Sequence, residues 1–373
     1  MSALALLISA VRFAFSLFPF YFHPNPPLRS VYCPEIAAPE SVGYNPATLS
    51  DNYTTRRSVD AALSIKDLRG VLLPFPTPFN AEGELDQLAL RSNIKQWNAA
   101  GIRGYVVLGS TGERVNLDEA EYLQVIEAAR AEVADGLAFI VGAGQQSTLG
   151  TINEIKRVAA AVPVDGVLVI TPHFYRAAIT QAALLDHYSH VADGSPVPVI
   201  LYSMPALTGI AIEPETAARL SEHGNIVGLK DSSAQTGLLQ ETIKLVTEGF
   251  AVLTGNGTVF REGLEAGACG GILAVGCVAP ALCLAIFAAV ESGNTQLAAK
   301  LQSALSPLAA AVTTGYGIGG LKAALEFRGF AGGPPRAPLP APDEEGWEEL
   351  RRCLIAADSA LLEFPPSDLP ASR

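Results

Sequence analysis

A chain of 373 residues, 49% of them hydrophobic and only 17% charged, has the apolar material for one large α/β barrel or two smaller domains. Its formal net charge of −12 excludes the basic face on which nucleic-acid binding relies. The same charge offers anions no general attraction, so an acidic substrate must be caught by local contacts.

Residues 1–60 differ in composition from the remainder of the chain. Met1 to Phe22 is nearly all apolar, broken by Arg12 and Pro19; prolines then recur at 24, 26, 27, 34 and 39, and a polar stretch ends in Arg56-Arg57. A membrane-crossing helix needs about 20 apolar residues, which this run reaches only across a charge and a proline. The lack of acids before Glu35 suits a targeting peptide. The segment is expected outside the fold, as a targeting sequence, a plain extension or a membrane anchor, and the protein in the cytoplasm or mitochondria.

From Leu68 a regular alternation begins. Apolar runs at 69–73, 104–108, 137–141, 166–170, 197–201, 226–229, 251–253 and 271–275 read as short buried strands. Helical patterns fall at 85–99, 117–133, 151–161, 181–191, 213–221 and 237–247, with Asp118 and Glu119 suitably placed in the first turn of the second. Strands alternating with helices imply βαβ units and a parallel sheet, and eight of them predict a (β/α)8 TIM barrel over 61–292. No GxGxxG follows the first strand, which weakens a dinucleotide fold. Helical patterns at 294–311, 318–327 and 344–362, interrupted at Gly332-Gly333-Pro334-Pro335, predict a C-terminal helical extension over 293–373.

The five cysteines (Cys33, Cys269, Cys277, Cys283, Cys353) form no CxxC pair, and their number and spacing fit neither zinc nor a disulfide framework. They are expected as free thiols in a reducing compartment. The five histidines make no metal pattern either, so no metal is expected.

Barrel active sites lie at the C-terminal ends of the strands. The residues landing there are Thr77, Ser110, Thr111, Tyr175, Tyr202, Lys230, Ser232 and the Gly255-Asn256-Gly257 turn. Lys230 ends the apolar run 226–229, where an ammonium is drawn from water. Burying it unpaired costs several kcal/mol, so it must find an anion or be carried uncharged. A desolvated lysine is an amine nucleophile able to form a Schiff base with a carbonyl substrate; the plain alternative is a surface lysine at a strand end. Gly109-Ser110-Thr111-Gly112-Glu113 is a hydroxyl-rich strand-to-helix turn whose N–H groups suit a carboxylate, or else an ordinary capped loop. Tyr202 follows a strand core, where a phenol can pass protons beside the lysine or simply pack.

These motifs, in order, resemble a known family. Gly70-…-Pro78-Phe79, Gly109–Glu113, Thr171-Pro172-His173-Phe174-Tyr175, Tyr202-Ser203-Met204-Pro205 and Gly228-Leu229-Lys230-Asp231-Ser232 match the dihydrodipicolinate synthase / N-acetylneuraminate lyase superfamily over about 68–362. The resemblance implies a class I aldolase or synthase that uses pyruvate or another 2-oxo acid through a lysine Schiff base, without metal or organic cofactor. It makes Lys230 the Schiff-base lysine, Tyr202 the proton-transferring tyrosine, Ser110 and Thr111 the carboxylate-binding pair with Ser110 also in the proton relay, and Tyr175 a residue lent across a subunit interface. A homo-oligomer, dimer or tetramer, follows from that last role.

Departures bear on the substrate. The synthases carry an arginine for the aldehyde's carboxylate where this chain has Leu207, and the sialic acid lyases carry acidic residues near Gly257-Thr258. Within the superfamily the chain most resembles the 4-hydroxy-2-oxoglutarate aldolases, through 201–209, Lys230-Asp231-Ser232, Gly255-Asn256-Gly257, 317–322 and 332–339. Those have Ser-Asn at Ser110-Thr111 and asparagine at Leu207, which leaves Ser232 and Asn256 to anchor a second carboxylate. The expected reaction is cleavage of 4-hydroxy-2-oxoglutarate to pyruvate and glyoxylate. Alternatives are a dihydrodipicolinate synthase, a 2-keto-3-deoxy sugar acid or N-acetylneuraminate-type lyase, and a non-catalytic ligand-binding barrel.

Overall fold

A computed structural model describes residue 63 and residues 65–363; the N-terminal segment and its targeting or anchoring role lie outside them. Eight parallel strands close into a barrel, each bonded to the next and the last to the first. They are β1 (Gly70–Leu73), β2 (Gly104–Val107), β3 (Ala138–Ala143), β4 (Gly166–Ile170), β5 (Val199–Ser203), β6 (Ile226–Asp231), β7 (Ala251–Thr254) and β8 (Gly270–Ile272). The helices after them are α1 (Gln87–Trp97), α2 (Glu119–Glu132), α3 (Thr148–Ala161), α4 (Gln181–Gly194), α5 (Pro214–Ser221), α6 (Thr236–Leu245), α7 (Phe260–Glu265) and α8 (Pro280–Glu291). The fold is the TIM barrel expected, with C-terminal helices α9 (Thr295–Ala310), α10 (Gly317–Phe327) and α11 (Glu344–Leu362).

The strands are apolar over most of their length because parallel strands are covered on both faces; polar side chains such as Ser203, Lys230, Asp231 and Thr254 come only at their C-terminal ends. Leu72, Val106, Ile140, Leu168, Ile200, Leu253 and Ile272 form one buried cluster with Tyr202. Gly270 closes the ring: a Cβ there would come within 2.0 Å of the Gly70 carbonyl oxygen, so no side chain fits between β8 and β1. A larger cluster joins α1, α2 and α8 to α9, α10 and α11, and a smaller one underlies β4 to β7. In the larger, Trp97 stacks between Phe75 and Phe330 at 5.7 and 4.9 Å and donates to the Cys277 carbonyl.

Two helices escape the sequence pattern. Helix α8 is apolar on every side, Pro-Ala-Leu-Cys-Leu-Ala-Ile-Phe-Ala-Ala-Val-Glu, although only one face of it is buried; without polar residues on the other face it shows no amphipathic period. Helix α7 has only six residues, too few for a period to emerge. The last strand is also shorter than expected, since Ala274–Cys277 curls into a 3₁₀ turn. Asp118 does cap α2, accepting from the Glu121 N–H while the Glu121 carboxylate bonds back to the Asp118 N–H. Cys269, Cys277 and Cys283 are buried free thiols; burial pushes Cys269 and Cys283 up to about 12. Among the described residues no helix is long and apolar enough to cross a membrane, and no cluster of three His, Cys, Asp or Glu could hold a metal ion.

Candidate active site

A cavity of about 860 Å³ opens at the C-terminal ends of the strands, large enough for a small 2-oxo acid and a second reactant. Lys230 and Tyr202 face each other across the β5–β6 ladder, where they are register partners. Because side chains alternate along a strand, partners in register project to the same face; both line the cavity, and each is only 4% exposed. The Lys230 Nζ lies 4.3 Å from the centre of the Tyr202 ring. It forms no ion pair among the described residues, so its nitrogen remains available to a carbonyl carbon. Its burial sets aside the surface lysine that the sequence left open.

The Tyr202 hydroxyl in turn lies 3.3 Å from Ser110 Oγ. Ser110 and Thr111 open a 3₁₀ turn, Ser110–Gly112, at the end of β2, and both line the cavity. The turn's own bonds use the N–H groups of Gly112 and Glu113, which leaves those of Ser110 and Thr111 outside its ladder. The backbone is strained on either side: Leu108 and Glu113 hold φ of 58° and 55°, a left-handed conformation that non-glycine residues adopt at a cost of about 1–3 kcal/mol. Leu108 also sits against Gly142, where a Cβ would come within 2.2 Å of its carbonyl oxygen. An amine, a phenol, a serine hydroxyl and a donor-rich turn therefore share one cavity. That set can bind a carboxylate, attack the adjacent carbonyl and move a proton.

Ser232 stands two residues beyond Lys230, is 7% exposed, lines the cavity, and its hydroxyl has no hydrogen-bond partner among the described residues. Gly255 makes room for both: a Cβ there would fall 1.9 Å from Ser232 Oγ and 2.7 Å from Lys230 Cε. Beside them, burial raises the Asp231 carboxyl above the usual range, against two hydrogen bonds from Ser233.

Three expected residues stand elsewhere. Thr77 is fully buried behind the turn and donates to the Gly112 carbonyl at 2.7 Å, so it braces the site without lining it. The Asn256 side chain is used locally, accepting from the N–H and hydroxyl of Thr258 at 2.9 and 2.7 Å, and does not line the cavity. Asparagine two residues before a hydroxyl residue favours this local loop over a ligand. Tyr175 is 71% exposed and outside the cavity of its own chain. Leu207, by contrast, lines the rim and is 62% exposed.

The support beneath the turn was not legible in sequence. Glu113 at its end forms a fully buried ion pair with Lys322 of α10, at 2.6 Å. The other Glu113 oxygen accepts from the Arg336 N–H at 2.9 Å and from Asn116 at 3.2 Å. Burial lowers the Lys322 ammonium pKa, and the Glu113 carboxylate opposes the shift. Elsewhere in the cavity wall both arginines are engaged, Arg114 with Glu154 and Arg157 with Glu119.

Fold and site together define the class: this is a carbon–carbon lyase, a pyruvate-dependent class I aldolase. The chain belongs to the dihydrodipicolinate synthetase family, whose model it matches over residues 67–357. It is 35% identical over 287 residues to the 4-hydroxy-tetrahydrodipicolinate synthase of Methanopyrus kandleri, covering 76% of this chain and 95% of that one. It is 34% identical over 293 residues to a DapA-like lyase of Halobacterium salinarum, covering 79% and 93%. Among solved structures, dihydrodipicolinate synthase of Thermotoga maritima superposes with a TM-score of 0.74 at 31% identity, over 79% of this chain and 99% of that one. A monomeric dihydrodipicolinate synthase variant matches equally well, with a TM-score of 0.74 at 30% identity over 80% and 99%.

Proposed function

We propose that Lys230 forms the Schiff base and that Tyr202 and Ser110 carry the proton. The observation that bears most weight is the buried Lys230 amine held over the Tyr202 ring, with the phenol in reach of Ser110. The uncharged amine attacks the 2-oxo carbon, one amine proton passes to the oxygen, and a second proton from the Tyr202 hydroxyl lets that oxygen leave as water, giving a protonated imine that serves as an electron sink. The Tyr202 oxygen, left deprotonated, takes a C3 proton to give an enamine, which adds to an aldehyde while the aldehyde oxygen takes that proton back from Tyr202. In the cleavage direction Tyr202 takes the proton of the C4 hydroxyl, the C3–C4 bond breaks, and its electron pair enters the imine. The Ser110-Thr111 turn binds the pyruvoyl carboxylate and sets the imine plane against the reacting bond.

The names of the relatives support synthesis of 4-hydroxy-tetrahydrodipicolinate as the particular reaction, ahead of the 4-hydroxy-2-oxoglutarate cleavage expected from the sequence. The cleavage stands as a second reading on one observation. Leu207 occupies the rim where the resemblance places the synthases' arginine, and both arginines of the cavity wall are already paired. A missing guanidinium fork weakens recognition of an aldehyde's carboxylate. Ser232, buried and unpartnered, is the side chain placed to meet the second reactant in either case. Tyr175 contributes only as a neighbour's residue in a dimer or tetramer, and sedimentation velocity measures whether one forms.

Borohydride reduction with pyruvate, followed by peptide mass spectrometry, should place a stable adduct on Lys230; an unmodified Lys230 ends the proposal. Turnover of 4-hydroxy-2-oxoglutarate beside condensation of pyruvate with the synthases' aldehyde then separates the two readings.

A further inference from the structure

The carboxylate-binding turn is not held by the barrel alone. Glu113 ends it in a left-handed conformation, with its carboxylate wholly out of solvent against Lys322. Lys322 belongs to α10, in the C-terminal extension, and its ammonium also donates to the Pro334 carbonyl at 2.9 Å and lies 4.4 Å from the centre of the Phe79 ring. The segment after α10 folds back over the same place. There the Arg336 N–H bonds Glu113, and its guanidinium grips Glu121 with two contacts of 2.6 Å and the Gly83 and Asn116 carbonyls. The fit leaves no slack: a Cβ on Gly332 would come within 2.2 Å of the Lys322 carbonyl oxygen, and one on Gly333 within 2.3 Å of that of Phe79.

Two buried opposite charges are weak stabilisers, since desolvation offsets much of their attraction and a well-packed apolar pair often does as well. In some proteins such a pair fixes a unique register, and here any sliding of α10 against the turn would strand the Glu113 carboxylate in the interior. We propose that Lys322 is a positioning residue for pyruvate: acting through Glu113, it fixes the Ser110-Thr111 turn against Tyr202 and Lys230. The C-terminal extension is then part of the binding apparatus, and Lys322 itself never touches substrate. The proposal rests on the Schiff-base reading above.

The test compares Lys322→Met, Glu113→Gln and the double variant with the parent, reading thermal stability and the pyruvate concentration that half-saturates borohydride trapping. Each single variant is expected to lose stability and to need about 10- to 100-fold more pyruvate, with the same maximal adduct at Lys230. The double variant, with no stranded charge, regains stability but keeps the raised pyruvate requirement, and Lys322→Arg recovers part of the affinity. A purely structural pair gives another result: stability and affinity return together in the double variant, or folded single variants titrate like the parent, and either outcome overturns the proposal. If the parent itself yields no adduct, the Schiff-base reading fails instead.

Discussion

Lys230 and Tyr202 stand on adjacent strands and are fixed by the ladder between them, whereas Ser110 and Thr111 hang on a strained loop braced from three distant parts of the chain. Thr77 supports that loop from the β1 side, Lys322 from α10 and Arg336 from the returning segment. Strands are stiff and keep their register wherever a face is buried. Loops need external support, and here the support is polar and comes both from the loop after β1 and from beyond the barrel. Lys230 and Tyr202 are therefore set by strand register, and Ser110 and Thr111 by contacts between segments far apart in sequence.

Breaking the strand side should have the largest effect. Lys230→Ala removes the nucleophile, so turnover should drop to the uncatalysed level and no adduct form at any pyruvate concentration; residual trapping elsewhere in the cavity would refute the assignment. Tyr202→Phe leaves the amine but removes the proton carrier. The maximal rate should fall by about 10²- to 10⁴-fold while the pyruvate adduct still forms, as single-turnover and trapping measurements would show.

Gly255→Ala probes how closely the strand ends are packed. A methyl group 1.9 Å from Ser232 Oγ and 2.7 Å from Lys230 Cε must displace one of them, and displacement of about 1 Å at a reacting group costs roughly 10²-fold in rate. An alanine variant with normal kcat would show that the mouth yields without disturbing the amine. Ser232→Ala is milder. Loss of one hydrogen bond worth about 1 kcal/mol should raise KM for the second reactant about fivefold and spare the pyruvate titration, which separates the two binding regions.

The smallest effect on activity is expected where pH acts on stability alone. Burial lowers His187 from 6.5 to about 4, so the folded protein keeps it neutral where the unfolded chain is protonated. Its contribution to stability is full above about pH 6.5 and is lost as pH falls from there towards 4. Urea midpoints between pH 7 and pH 4.5 should fall, and less so in His187→Gln. His187 stands on α4, pairs with Thr148 and does not line the cavity, so the pyruvate titration of the variant should match the parent's.

The features legible in advance are those set by local physics. Apolar runs of strand length separated by amphipathic helices announce a parallel sheet covered on both faces, and eight of them without a dinucleotide-binding glycine motif favour the closed barrel over an open sheet. The same rhythm places Lys230, Tyr202, Ser110 and Thr111 at one end of it, because strand ends are visible in sequence. Side-chain partners are not. Thr77 and Asn256 reach the right end of the barrel, yet their polar atoms close local hydrogen bonds that a strand-end position does not reveal. Helix α8 lacks a polar face to betray it. Least visible of all is the bond between Glu113 and Lys322: an ion pair between distant residues leaves no period, spacing or composition behind, and exists only once α10 has packed against the barrel. Sequence alone determined where Lys230 and Tyr202 would stand, because strand geometry is local; only the tertiary structure decided what holds the Ser110-Thr111 turn beside them, because that contact joins segments with no local relation to one another.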